Sequence, residues 1–296
     1  MHLQIRPNPV GKITIFYLKH HFSTGIKTSE THSYLKKGFS EAKTWYSKYG
    51  TMTSTKLYQE YLPFMKMREA TSVIETGSGP GNGVSAILKS ISPSCKFTAT
   101  DISPGFLDEL KKIKAENYSV EEANIEELPF PKKTFDRYIS NMAIHNAADP
   151  EKAFSEAYRV LKNGGILGVS TFGANEKTNT YMSLMKNFRA FIGQPYHDSI
   201  LNNLAVMGLP EPFKEFVSRI GFQRVLSYSA MTVYPLSTPE EAADLFLSFG
   251  PLENFMKNNP DKAGELQNLV MSKLYECLIT NGTPIGYDSS ILIAFK

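Results

Sequence analysis

A cluster of four glycines raises the first chemical question. In "VIETGSGPGNGVSAIL", Val73 to Leu88, Gly77, Gly79 and Gly81 stand at alternate positions after an apolar run ending in Glu75, and Gly83 follows. Glycines let a backbone touch a ligand, and a following helix offers free N–H groups at its N-terminus. Spacing decides which ligand. A dinucleotide fingerprint needs G-x-G-x-x-G/A. Counted from Gly77 the third place falls on Asn82, and from Gly79 on Val84. A triphosphate loop needs Lys and Ser/Thr after its last glycine, but Val84 and Ser85 follow Gly83. Nicotinamide cofactors and nucleoside triphosphates are therefore disfavoured. Other residues able to do chemistry are Asp101, His145 and the aromatic group Trp45, Tyr46 and Tyr49.

The elements that must position these residues are legible from periodicity. "SVIE" reads as a buried strand, and Val84, Ile87, Leu88 and Ile91 recur at helical spacing. "KFTATD" is a second strand, followed by a helix, "SPGFLDELKKI", with Ser103 as cap and Pro104 at its first position. "YSVEEAN" and "FDRYISN" are the third and fourth strands. "DPEKAFSEAYRVLKNGG" is a helix capped by Asp149, started by Pro150 and stopped by Gly164, and "ILGVSTF" is a fifth strand. Alternating strands and helices imply parallel strands with helices on both faces. Ligands of such sheets bind beyond the carboxyl ends of the strands. Further on, "TPEEAADLFLSF" carries a capping box, Thr238 with Glu241, and a last helix near 262–280 leads to the strand "SSILIAF".

The pattern E-x-G-x-G-x-G resembles the first motif of class I S-adenosylmethionine-dependent methyltransferases. "SNMAIHNAADPEKAFSEAYRVLKNGGILGVS" resembles that family's segment after the fourth strand, and the resemblance covers about residues 45–173. It implies a Rossmann-like, seven-stranded, mostly parallel α/β sheet with an antiparallel last strand, and S-adenosyl-L-methionine as cofactor. It implies that Glu75, Gly77, Gly79 and Gly81 serve the methionine end and that Asp101 takes the ribose hydroxyls. Ile102 would pack on the adenine, Asn124 would bond its amino group, and the backbone of Ile125 would bond a ring nitrogen. Asn141, closing the fourth strand, and Tyr46, in a segment that folds over the cofactor in the family, complete the expected cofactor set.

Each role has a structural alternative. Asp101 can cap the next helix, Asn124 can be a turn residue, and the Trp45–Tyr49 aromatics can be core. His145 and Tyr49 are the candidate bases, needed only where an acceptor must lose a proton; a histidine there also serves structure. Residues 174–220 are expected to form a helical cap insertion holding a small, largely apolar acceptor. Phe188 and Phe191 would be in its pocket, with Tyr196, His197 and Asn203 as polar anchors. Core packing is the alternative for that aromatic series.

The expected division is an N-terminal extension (1–33), a helical lid (34–68), a cofactor-binding core (71–173), the cap, and a C-terminal part (221–296). Of 296 residues, 42% are hydrophobic and 21% charged, with net charge +3. That charge is too mild to call for nucleic acid. Two cysteines give no disulfide framework and no metal spacing. No apolar run approaches the ~18 residues that span a membrane. The partner is expected to be a small molecule, and the chain a monomer or homodimer. A cytoplasmic location is expected, with a mitochondrial alternative: no acid precedes Glu30, whereas Arg6, Lys12, Lys19 and Lys27 do. Three rivals share parts of this reading. They are a nicotinamide oxidoreductase, a catalytically silent cofactor-binding protein, and a methyltransferase acting on protein or RNA.

Overall fold

The structure of the protein, a computed structural model, describes residues 33, 36–40, 42–174, 179–194 and 198–296. A helical lead-in at Lys43–Trp45 and Tyr46–Gly50 runs into α1 (Thr51–Tyr61). The core then alternates: β1 (Ser72–Thr76), α2 (Val84–Ser90), β2 (Lys96–Asp101), α3 (Pro104–Leu110), β3 (Tyr118–Glu122), β4 (Phe135–Asn141), α4 (Pro150–Val160) and β5 (Leu161–Phe172). Three helices follow, α5 (Thr180–Phe191), α6 (Asp198–Met207) and α7 (Pro210–Ile220), then β6 (Gln223–Val233). A helical arm, α8 (Pro239–Leu247), α9 (Gly250–Asn258) and α10 (Pro260–Leu274), precedes β7 (Gly286–Phe295).

The sheet has seven strands in the order β3-β2-β1-β4-β5-β7-β6. Neighbours among β1 to β5 pair parallel, whereas β7 runs antiparallel to both β5 and β6. The strand order reverses between β1 and β4, so the switch point lies where the β1 glycine loop and the β4 end meet.

Local chemistry fixes the helix starts. Asp149 accepts from the Lys152 N–H (3.0 Å) ahead of Pro150. Thr238 accepts from the Glu241 N–H (3.2 Å) while Glu241 reaches back to the Thr238 N–H, a complete capping box. Two expectations change. Ser103 occupies the cap position of α3, but its hydroxyl pairs with Ser40 Oγ (2.9 Å) rather than with the helix. Gly164 does not stop α4, which ends at Val160 as β5 begins at Leu161. It instead donates its N–H to the Lys296 carbonyl (2.7 Å).

Two hydrophobic clusters fill the two faces of the sheet. The first gathers α1, α2, α3, α5 and the α8–α10 arm, and the second gathers α4, α6 and α7. The expected cap at 174–220 therefore divides. Its first helix packs with the C-terminal arm, and its second and third cover the opposite face. Helix α9 had no counterpart in the sequence reading. Residues 1–32, including the basic leader, lie outside the described residues, as do Tyr196 and His197.

Candidate functional site

A cavity of about 290 Å³ opens at the carboxyl ends of β1, β2, β4 and β5. Most of the expected cofactor residues line it: Gly77, Gly79, Asp101, Ile102, Asn124, Ile125, Asn141 and Tyr46, together with His145. Glu75, Gly81 and Tyr49 do not.

The four glycines do different work. Gly79 has φ +57° and nothing within 4 Å of where a Cβ would stand, so its missing side chain leaves open space for a ligand. Gly77 (φ +65°) could carry no Cβ because one would stand 2.3 Å from the Cβ of Ala143. Gly81 is closed off by Ile113 at 2.7 Å, and Gly83 by the ring of Tyr58 at 2.1 Å. Gly77 and Gly79 both border the cavity, Gly79 with open space beside it, while the tight contacts let Ala143, Ile113 and Tyr58 of α1 close around the loop.

Asp101 is 5% exposed and accepts two backbone N–H bonds, Gly79 to Oδ2 and Ser103 to Oδ1, both 2.9 Å. It therefore ties the glycine loop to the start of α3 while facing the cavity. Burial raises its pKa to about 6, against the lowering by those backbone bonds. Asn124 is held by a turn in which its Oδ1 accepts from the Glu126 N–H (3.0 Å), placing Ile102, Asn124 and Ile125 along one wall. These features suit an adenosyl group: a backbone cradle, a carboxylate at ribose position and an apolar wall.

Glu75, expected to contact the ligand, is wholly buried behind the loop and accepts from the Tyr58 hydroxyl. Burial raises its pKa to about 7. Tyr49, expected as a base, points elsewhere: its hydroxyl donates to Asp244 of α8, beside a Lys48–Asp244 ion pair of 2.6 Å. Trp45 Nε1 donates to the Leu245 carbonyl (2.7 Å), so the lead-in helix is bolted to the C-terminal arm. On its other side, Asn82 of the glycine loop donates to the Tyr46 carbonyl (3.1 Å) and accepts from Thr51 (3.0 Å).

His145 sits in a short turn, Ile144–Asn146, after β4. It is 3% exposed, its ring meets Phe172 edge-on at 5.4 Å, and Nδ1 has no hydrogen-bond partner. Burial lowers its pKa to about 4, so the imidazole is neutral at pH 7. That makes it a weak base but a competent hydrogen-bond acceptor or donor. Asn141 is fixed between Ser170 (2.6 Å) and Tyr61 (3.3 Å).

The far wall is aromatic. Phe172, Tyr181, Tyr234, Phe249, Tyr287 and Trp45 line it, with Phe172–Tyr287 centroids 4.9 Å apart and Tyr181–Tyr234 5.5 Å apart. Buried Arg189 also borders the cavity. Among the described lining residues the carboxylates are Asp101 and Glu126, both at the cofactor end. Of the expected pocket residues of the 174–220 segment, Phe188, Phe191 and Asn203 are not in this wall. Phe188 is fully buried against Phe246, Phe191 packs at the surface on Phe255, and Asn203 donates to the His145 and Ala147 carbonyls (2.9 Å each). Sequence reasoning missed Tyr234, Phe249 and Tyr287 because only tertiary packing brings them to the cavity. Tyr58 and Ser54 had a signal: with Tyr46 and Gly50 they form one stripe along the helical lead-in and α1.

Residues 74–169 match the family described as the methyltransferase domain. Over those residues the chain is similar to a methyltransferase domain, and the sheet around them has the Rossmann-like methyltransferase fold. The chain resembles the chloroplastic 2-methyl-6-phytyl-1,4-hydroquinone methyltransferase 2 of Oryza sativa subsp. japonica, 38% identical over 32% of this chain and 27% of that protein. It resembles the mitochondrial 2-methoxy-6-polyprenyl-1,4-benzoquinol methylase of Caenorhabditis elegans, 28% identical over 52% of this chain and 55% of that one. The matches thus span about half or less of these relatives' length. In fold it resembles Haemonchus contortus phosphoethanolamine N-methyltransferase 2, solved in complex with S-adenosyl-L-methionine, at TM-score 0.56 and 16% identity, over 92% of this chain and 60% of that one. Among the described residues no helix is long and apolar enough to cross a membrane, and no group of three or more His, Cys, Asp or Glu could hold a metal ion.

Proposed function

We propose that the protein transfers a methyl group from S-adenosylmethionine to a small, neutral, largely apolar acceptor. The observation that carries this reading is the continuity of one cavity. It runs from Gly79, Asp101 and Asn124, past Asn141 and His145, to the aromatic wall of Phe172, Tyr181, Tyr234 and Tyr287. When bound, the cofactor supplies a sulfonium methyl open to direct displacement. The chain's own residues do the rest. Gly79 and Asp101 hold the adenosyl group, and the lead-in helix, bolted to α8, excludes water. Aligning the two reactants in this way supplies up to roughly 7–11 kcal/mol of rate acceleration.

The aromatic wall favours a flat, ring-bearing acceptor, and the hydroquinone and benzoquinol named for the relatives are of that kind. The absence of a carboxylate from the described aromatic end argues against a cationic amine. His145 is the group placed to hold an acceptor hydroxyl. The mild net charge disfavours a nucleic-acid acceptor. We retain a cytoplasmic location with the mitochondrion as alternative, and a monomer or homodimer; fractionation of tagged full-length chain and light scattering decide these.

The test is to incubate the protein with isotopically labelled S-adenosylmethionine and a panel of hydroquinones, phenols and amines. Methyl transfer to neutral ring acceptors is expected. Cofactor binding with no turnover on any of them, or on source extracts, would favour a silent binding protein.

A further inference from the structure

Arg189 breaks the pattern of the acceptor end. The wall there is made of rings, yet this arginine borders the same cavity and is only 5% exposed. Among the described lining residues it is the single arginine or lysine, and the lining carboxylates, Asp101 and Glu126, stand at the cofactor end. A guanidinium keeps its charge at any pH at which a protein stays folded, and arginine is rarely buried unless it is paired.

The placing of Arg189 on α5 aims it inward. Tyr181, Met182 and Arg189 are the residues of this helix that line the cavity. A separation of seven or eight residues is about two turns, so the three share one face. A helical side chain leans toward the helix N-terminus, which carries the Arg189 head group back toward Tyr181 and Met182. Tyr181 stacks on Phe172 with centroids 6.3 Å apart, and Phe172 meets the His145 ring at 5.4 Å. His145 and Arg189 therefore stand at the two ends of a run of rings.

This arrangement sets what a ligand must bring. A guanidinium has five N–H donors, so it can keep contacts inside the protein and still donate to a ligand. An acceptor that filled this end with carbon alone would take water from those donors and give nothing back. A site built to hydrogen-bond a ligand oxygen rejects the analogue that lacks it for this reason.

We propose that Arg189 is a specificity-determining residue, selecting a neutral ring acceptor that carries a second oxygen, a carbonyl or a hydroxyl, on the side away from His145. This rests on the acceptor reading above and deepens it: one oxygen meets His145, the other accepts from Arg189, and the rings hold what lies between.

The test is calorimetry on the full chain saturated with S-adenosylhomocysteine and titrated with para-hydroxyacetophenone and para-isopropylphenol. The two share an outline, but the first has a carbonyl oxygen where the second has a methyl group. A purely apolar pocket would prefer the isopropyl compound. The wild-type chain should instead prefer the carbonyl compound by at least about tenfold, and Arg189→Met should abolish or reverse that preference. Equal affinity of the wild type for the two, or a preference that survives in Arg189→Met, would overturn the proposal. S-Adenosylhomocysteine affinity, measured alongside, reports whether the variant is folded. Should Arg189→Met fail to fold, Arg189→Gln, which stays polar but loses the charge, takes its place and is held to the same outcome. Tight binding of para-hydroxybenzoate without any preference for the carbonyl compound would show that the site takes an anion, and would overturn the proposal as well. A loaded wild-type chain that binds none of the three would overturn the acceptor reading itself and the proposal with it.

Discussion

The two ends of the cavity are built in opposite ways. Most of the cofactor end comes from one continuous part of the chain, Gly77 to Ile125, where consecutive strands each deliver a residue at their carboxyl end, with Tyr46 and Asn141 joining from either side. It works through backbone N–H groups, one open glycine and buried acids. The acceptor end is assembled from six separate places between Trp45 and Tyr287, and works through ring surfaces. Backbone cradles tolerate almost no change of shape, whereas apolar walls tolerate substitutions that keep volume. Damage should therefore be abrupt at one end and graded at the other.

The largest effect is expected at Gly79. Gly79→Val should abolish detectable cofactor binding by calorimetry, because its Cβ would enter the ligand space. Gly164→Val is the control. It has φ +76° and likewise nothing within 4 Å of a Cβ, but lies away from the cavity. Both variants carry the roughly 1–2 kcal/mol of backbone strain that a side chain meets at such φ, so both should melt a few degrees lower. Normal binding by Gly79→Val would break the comparison outright.

A crossed pair sharpens it. Asp101→Asn should raise the cofactor Kd by about tenfold or more and leave the acceptor KM alone. Phe172→Leu should do the reverse, raising the acceptor KM severalfold with the cofactor Kd unchanged. Phe188→Ala, at a fully buried position off the cavity, should cost about 3–5 kcal/mol of stability without either kinetic signature. If Phe172→Leu raises the cofactor Kd instead, the two ends are not separable.

The same contrast explains what the sequence made legible. The strand ends, the glycine loop, Asp101 and the Asp149 and Thr238 caps are local patterns, and all stand where periodicity and turn chemistry place them. Glu75 and Tyr49 have the right types, but their side-chain directions depend on partners far along the chain, Tyr58 and Asp244. Ser103 lost its capping bond to Ser40 for the same reason. The expected 174–220 pocket is met in part, because an aromatic stripe at helical spacing marks a buried face without saying what it faces. Tyr181 turned to the cavity, whereas Phe188 turned to α8.

The acids and the histidine also divide the two ends by pH. The Glu75 pKa is raised from 4.5 to about 7, so the native chain holds that proton more tightly than the unfolded chain. Its contribution is most favourable below about pH 4.5 and is lost as pH rises through 7, by about 3 kcal/mol. Asp101 acts in the same sense between 3.8 and about 6. His145 acts oppositely: its pKa falls from 6.5 to about 4, so stability rises with pH across that window. Glu75→Gln should therefore gain stability relative to wild type between pH 4.5 and 7.5, read from denaturant midpoints without ligand. A difference that stays flat with pH would show that the cofactor end carries no uncompensated buried charge.

The smallest effect concerns the bolt joining the two ends. Lys48 and Tyr49, on the lead-in helix, both meet Asp244 on α8, and Trp45 meets the next carbonyl. The same helix holds the glycine loop through Asn82. Opening it would expose cofactor and acceptor together, so cofactor release should depend on a contact remote from the cofactor. Asp244 is more than half exposed, which screens its charge and keeps the effect modest. Asp244→Asn retains an acceptor for Tyr49 but loses the ion pair, and should speed cofactor release roughly two- to fivefold. The increase should shrink as salt is added, because wild type then loses the same attraction. Stopped-flow release rates at low and high salt, with hydrogen exchange over residues 43–61, measure both sides. Unchanged release at low salt would mean that the lead-in helix is fixed scaffold and that the two ends exchange their ligands independently.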